Sequence, residues 1–291
     1  MALAQGALAA PREECRFEPP ARVGAPVIPP GTRIGLALGS GSMHGHAHVG
    51  VLLELEARGM RVDVVAGTSV GALVGSLWAS GIDAARIDSL ARGESLDLSR
   101  IAGSWHGLFS SDPMRKPLEA AFGGRPIESW PRRFGAVATN LADGSRRLLA
   151  RGDGVTAVQA STAVPVLFTP IAVGGERLVD GALVEPVPVD AARELGADFV
   201  IAVDVAYRPH EESVSGVTAY AFQAMHILVN SLAASQARAA DVLIRPDLHR
   251  RWMECGQEGL VAAGRDAVAS AWPTLVRSLL TRAGRRAPGA D

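Results

Sequence analysis

Lysine is almost missing from this chain: Lys116 is the single one among 29 basic residues, and the rest are arginine. That bias reads as a coding preference for Arg and Ala rather than as function. Excess charge of either sign is missing too. Asp and Glu number 30 and the formal net charge is −1, so nothing in the balance favours nucleic acid or a strongly anionic surface as partner. Cysteine is scarce. Two residues, Cys15 and Cys255, exclude a disulfide framework and a Cys-based structural zinc site, and make a reducing, cytosolic setting the default expectation. Long apolar runs are also lacking. The longest, residues 62–79, contains Asp63 and is split by Gly67, Gly71 and Gly75. A membrane span needs about 20 predominantly apolar residues, so a strand followed by a buried helix fits better. The Ala-rich first ten residues lack a basic segment and a long apolar core, which makes them a poor signal peptide.

What is present is a chain able to bury a sizeable core, with 48% hydrophobic and 20% charged residues and with 32 Gly and 18 Pro to make turns. Residues 1–30 hold six prolines and no periodicity, the pattern of a poorly ordered tail. From Arg33 onward short apolar runs alternate with helical patterns. Ile34 to Leu38 is a strand, Gly39-Ser40-Gly41-Ser42-Met43-His44-Gly45 a turn, and His48 to Arg58 a helix closed by Gly59. Residues 62–66 form a second strand, and an all-apolar helix over 70–80 belongs in the middle of the domain. Further strands are expected at 133–139, 146–150, 176–179 and 199–205. Further helices are expected at 218–240 and 260–282, the last broken at Pro273. The alternation implies one three-layer α/β/α domain with a mainly parallel central sheet over residues 31–285, with 286–291 as a tail.

The strongest chemical signal is Gly67-Thr68-Ser69-Val70-Gly71, between an apolar strand and an apolar helix. A serine on such an elbow is pushed out on a strained turn, and small neighbours let the backbone pass. The helix that follows offers the Val70 N–H and a positive dipole end to a developing oxyanion. The plain alternative is a helix N-cap. The upstream loop, Gly39 to Gly45, admits two readings. As a phosphate-binding turn of a dinucleotide fold it would need an acidic residue just after the second strand. Gly67-Thr68-Ser69 occupies that place, so the oxyanion reading is preferred.

Ser69 needs a base. His210, His226 and His249 follow it, but none lies in a short loop directly after a core strand, and His226 falls in a helical pattern. Asp180 ends the run Arg177-Leu178-Val179-Asp180 and precedes Gly181-Ala182, a turn that leaves a strand-end carboxylate uncrowded. A simple Asx-turn aspartate is the equal alternative. Asp204, inside Val203-Asp204-Val205, reads as structural.

Together these segments are similar to the patatin-like phospholipase family of the bacterial type, over residues 33–205 and more loosely to Leu280. The glycine-rich loop with Ala47-His48-Val49-Gly50, the elbow, Ala138-Thr139-Asn140-Leu141, Ser161-Thr162-Ala163-Val164-Pro165 and Leu178-Val179-Asp180-Gly181-Ala182 carry the resemblance in order. The resemblance implies a Ser–Asp dyad without histidine, Ser69 and Asp180, hydrolysing acyl esters of lipids. It also implies an oxyanion hole from the backbone of Gly39, Ser40, Gly41 and Ser42 together with Val70. His44, Gly45, Gly67, Gly71, Gly181 and Ala182 support the motif. The family's loop normally carries more glycine and an Arg or Lys before its last Gly. Here Ser40 and Ser42 replace glycine and His44 stands at the basic position. Serine is tolerable where φ is negative.

A free aspartate, with a pKa of about 3.9, is a weak base for serine, so burial must raise it. The departures in the loop motivate a second reading, a catalytically weak relative serving as a lipid-binding or regulatory module. Neither reading needs a metal or an organic cofactor. A metal on the alternating His44, His46 and His48 is disfavoured because no partnering carboxylate run accompanies them. The partner is then a lipid or other acyl-ester substrate and the location cytoplasmic or membrane-peripheral. The interfacial candidate is 260–282, whose Val261, Val268, Trp272, Leu275, Val276 and Leu279 fall near one face. The plainer reading of that face is packing on the core.

Overall fold

The computed structural model describes residues 24–92, 112–206 and 216–286. Most of the expected tail at 1–30, and residues 287–291, lie outside them. In chain order the elements are β1 (Ile34–Leu38), α1 (Gly45–Ala57), β2 (Val64–Thr68), α2 (Val70–Ala79), α3 (Ala84–Arg92) and α4 (Asp112–Phe122). Then come β3 (Arg133–Asn140), β4 (Arg146–Leu149), α5 (Gly154–Ser161), β5 (Ile171–Val173), β6 (Glu176–Asp180) and α6 (Val189–Glu194). The last are β7 (Phe199–Val203), α7 (Val217–Gln236), β8 (Val242–Ile244) and α8 (Leu248–Arg286).

One sheet runs β5-β6-β3-β2-β1-β7-β8, with β4 also on β3. The strands β3-β2-β1-β7-β8 are parallel to one another, while β4, β5 and β6 pair antiparallel. Strand period two sorts the core by size. Ile34, Leu36, Leu38, Phe199, Ile201 and Val203 face α1, α2 and α8 in the larger cluster. Ala37, Val64, Ala66, Val200 and Ala202 face the other way, against α6 and the foot of α7. The fold class is therefore α/β with a mainly parallel central sheet. It aligns the C-terminal ends of β1, β2, β3 and β7 along one edge, where sites of such sheets form.

One expectation changes. The last helix is not broken at Pro273, which lies inside α8; its break is at Gly256, where φ is 57°. Glycine takes that left-handed conformation without a Cβ penalty, so the kink settles there. The apolar face of residues 260–282 packs on the core, the plainer of its two readings, and is not free for an interface. Val268, Leu275 and Leu279 are fully buried and Trp272 nearly so. The helix lies so close to α1 that a Cβ on Gly264 would stand 2.1 Å from Ala47 O, and one on Gly50 2.0 Å from Val261 O. Cys255 is disulfide-bonded.

Candidate active site

Ser69 sits on the turn between β2 and α2 with φ 56° and ψ −124°, a region that non-glycine residues occupy at a cost of about 1–3 kcal/mol. Close packing holds it there. A Cβ on Gly67 would stand 2.5 Å from Ala72 Cα, and one on Gly71 2.1 Å from Leu38 O and 2.7 Å from Gly39 O. Glycine is thus required on both sides of the serine by contact, and Gly71 presses the elbow onto the end of β1. Two hydroxyls complete the support. Thr68 Oγ1 donates to Glu185 O at 2.7 Å. Ser161 Oγ, at the end of α5, accepts the Ser69 N–H at 3.0 Å and donates to Val137 O at 2.6 Å.

The Ser69 hydroxyl donates to Asp180 Oδ2 at 2.6 Å. Asp180 ends β6, which reaches this place by pairing with β3, Asp180 opposite Ala138. Its backbone N–H donates to Ala163 O and its carbonyl accepts Thr139 Oγ1. Its other carboxylate oxygen, Oδ1, accepts the Ala182 N–H at 2.8 Å. Gly181 admits that turn, since a Cβ there would stand 2.2 Å from Val137 O. Both residues of the pair are buried. Burial pushes the Asp180 carboxyl up to about 6, against the opposing pull of the Ser69 and Ala182 hydrogen bonds.

The glycine-rich loop lies over the same edge, and the structure narrows its donors. The Gly39 N–H donates to Val203 O at 2.9 Å and the Ser40 N–H to Pro186 O at 2.8 Å. Gly39 and Ser40 are therefore removed from the expected oxyanion set, because their hydrogens are spent on fixing the loop. The N–H groups of Gly41, Ser42 and Val70 make no such backbone bond among the described residues. Ser42 stands at φ 51°, so serine here occupies a position that favours glycine. Ser40 does not.

His44 Nδ1 lies 3.1 Å from Val205 O. A carbonyl only accepts, so the ring carries its proton on Nδ1 and ties the loop to the end of β7. Gly45 begins α1 directly behind it. His48 Nε2 likewise donates to Gly39 O at 2.7 Å, and complete burial pushes its pKa down to about 4, keeping it neutral. His46 Nδ1 turns to Met43 O. The three alternating rings thus reach three different carbonyls. Asp204 is structural, holding Arg245 at 3.0 Å and the Ala206 N–H at 3.1 Å. His226 lies on α7, and His210 is outside the described residues. Sequence reasoning gave Ser161 and Thr68 no role beyond the motif. A hydroxyl at a helix end has no local signature of the distant N–H it will accept.

The strained Ser69 and the buried strand-end Asp180 that it bonds both lie within a segment that a family model matches. Residues 36–193, more than half of the chain, match the family model described as Patatin-like phospholipase, and the chain belongs to that family. An uncharacterized NTE family protein of Mycobacterium bovis is 34% identical over 180 residues, 60% of this chain and 49% of that protein. Lysophospholipase NTE1 of Scheffersomyces stipitis is 31% identical over 182 residues, 59% of this chain and 12% of that protein. The chain thus spans about half the length of the first relative and far less of the second. Among solved structures, VipD from Legionella pneumophila aligns with a TM-score of 0.50 at 16% identity, covering 83% of this chain and 67% of that one. That likeness concerns the fold.

Proposed function

We propose that the protein is a serine acyl-ester hydrolase that cleaves lipid acyl esters with Ser69 as nucleophile and Asp180 as its base. The observation that carries this reading is the 2.6 Å bond from Ser69 Oγ to a buried carboxylate whose pKa is pushed up to about 6. A base near that value accepts a serine proton far better than a free aspartate. Asp180 takes the hydroxyl proton as Oγ attacks the ester carbonyl carbon. The negative charge that develops on the carbonyl oxygen falls to the N–H groups of Gly41, Ser42 and Val70, at the positive end of α2. Collapse breaks the ester bond, and the departing alcohol takes the proton back from Asp180. Water, deprotonated by the same carboxylate, then releases the acid and restores Ser69. Relatives named lysophospholipase support a lipid ester as substrate.

Two observations favour the second reading, a lipid-binding module with little turnover. Ser42 is strained at a glycine position, and His44 is tied to Val205 O. A single experiment decides: fluorophosphonate labelling, with hydrolysis of p-nitrophenyl esters of increasing chain length. The wild type is expected to label and turn over, and Ser69→Ala and Asp180→Asn to lose turnover by roughly 10⁴-fold or more. An unlabelled, inactive wild type would establish the module reading, and activity surviving in Ser69→Ala would displace the site.

A further inference from the structure

Helix α7 runs for 20 residues, Val217–Gln236, without one Asp, Glu, Lys or Arg. At 100° per residue, Val217, Tyr220, Ala221, Ala224, Ile227 and Leu228 fall in an arc of about 120°. A helix on a globular surface turns such a stripe inward. Here the stripe faces outward: all six residues are exposed, Val217 to 85% and Leu228 to 71%. Among the described residues of α7 only Ala233, one turn from the end, is buried.

The foot of this helix stands at the candidate site. Gln236 Nε2 donates to Val184 O at 2.9 Å, and Gln236 Oε1 accepts the Val187 N–H at 3.3 Å. Val184 follows the turn after Asp180, and the Val187 side chain lies against Gly39. Three further segments at this edge also expose large apolar side chains: Leu141 after β3, Leu183 after Asp180, and Val166. Val166 is 67% exposed and held at φ 73°, a costly conformation for a β-branched residue. It lies three residues past Ala163, whose carbonyl holds the Asp180 N–H.

We infer that the outward stripe of α7, continued by Leu141, Val166 and Leu183, is the face on which the protein lies against a lipid bilayer. The inference rests on the acyl-ester reading of the site and names where that substrate is met. An acyl chain leaving a bilayer must reach Ser69 without crossing water, and exposed apolar side chains on the segments that carry the site lower the cost of that passage. The occupant follows from the substrate and from charge together: a lipid acyl ester resides in a bilayer, α7 carries no Asp, Glu, Lys or Arg to steer a charged partner, and a bilayer takes up apolar area in proportion to what is buried. No described helix is long and apolar enough to cross a membrane, so α7 lies on the bilayer and does not span it.

Co-sedimentation with vesicles of pure phosphatidylcholine, and of phosphatidylcholine with phosphatidylglycerol, tests this. The wild type is expected to bind both alike and equally at 0.15 and 0.5 M salt, values on either side of strong screening. The Ile227→Glu/Leu228→Glu variant is expected to lose about tenfold or more of the bound fraction. Thermal melting checks its fold, and Tyr220→Trp, read by quenching with brominated lipid, gives a second measure of contact. Ser69→Ala is expected to bind vesicles like the wild type, so failure of the hydrolase reading and failure of this one are separable. Three results would overturn the inference: equal binding by the glutamate variant, binding only to anionic vesicles that salt abolishes, or a wild-type dimer that the glutamate variant converts to monomer without any vesicle binding.

Discussion

Helices α2 and α7 are both built without a charged side chain, yet every residue of α2 is buried and α7 buries Ala233 alone among its described residues. The difference lies in side-chain size and in the residue that starts each helix. Gly71 lets α2 settle onto the end of β1 until backbone meets backbone, and Gly75 lets it rest on the side chains of Leu38 and Val65. On α7 the large residues Val217, Tyr220, Ile227 and Leu228 stay exposed. Ser69 starts α2 at φ 56°, where a side chain is strained, while Gly216 starts α7 at φ 93°, where glycine is relaxed. Hydrophobicity alone thus says that a helix must be covered. It does not say whether the cover is the protein's own core.

The sharpest way to break the comparison is steric. Gly71→Ala puts a methyl carbon 2.1 Å from Leu38 O and is expected to cost more than about 4 kcal/mol, read as loss of a cooperative melt. Ala224→Leu, on the exposed stripe of α7, is expected to leave the midpoint within a degree or two. Next come paired leucines. Leu73→Ala in α2 should destabilise by about 2–5 kcal/mol, and Leu228→Ala in α7 by less than about 0.5 kcal/mol, both by denaturant titration. Equal losses would mean that the α7 stripe is covered within the folded chain.

Titration separates the two regions further, because a buried carboxylate stands beside α2, while α7 has no Asp, Glu, Lys or Arg and burial pushes the pKa of its His226 down. With its folded value near 6 and an ordinary one of 3.8, Asp180 holds its proton more tightly in the fold. Its ionisation therefore removes stability as pH rises from about 4 to about 6. His48, lowered to about 4 by burial, works oppositely, since charging it as pH falls from 6.5 toward 4 opposes folding. The two flatten the wild-type curve. Asp180→Asn should uncover the His48 slope and be more stable above pH 6 by roughly 1–3 kcal/mol, while in the wild type kcat/KM should rise through about pH 6 to a plateau. The smallest contrast is at the helix starts. Ser69→Gly should relieve strain and stabilise by about 1 kcal/mol with activity abolished, while Gly216→Ala should destabilise by a similar amount.

Much of this was legible in the sequence because the relevant signals are local. The elbow glycines, the strand-end aspartate and the continuous apolar strand at Phe199 each announce themselves within a few residues. The three-residue strands Ile171–Val173 and Val242–Ile244 exist through their partners β6 and β7 and carry no period of their own. The donors of the loop were beyond reach for a similar reason. Gly39 and Ser40 are claimed by carbonyls of Val203 and Pro186, more than 140 residues away in the chain. Helix α8 left two readings open because an apolar stripe with arginines beside it looks the same whether α1 or a bilayer receives it. Only the glycines at 50 and 264, where the two backbones touch, tell them apart.

The contact of Gly71 with the carbonyls of Leu38 and Gly39 sets a length. It joins the elbow to the strand that launches the loop, so the gap between the Ser69 hydroxyl and the loop N–H groups is gauged at one point where two backbones touch. Of the chain between them, Gly41 and Ser42 present their N–H groups to the site and the His48 ring holds Gly39 O, so only the turn from α1 to β2, residues 58–63, lies outside that gauge. Insertions or losses there can alter how the domain meets its surroundings and leave the calibration of the chemistry intact.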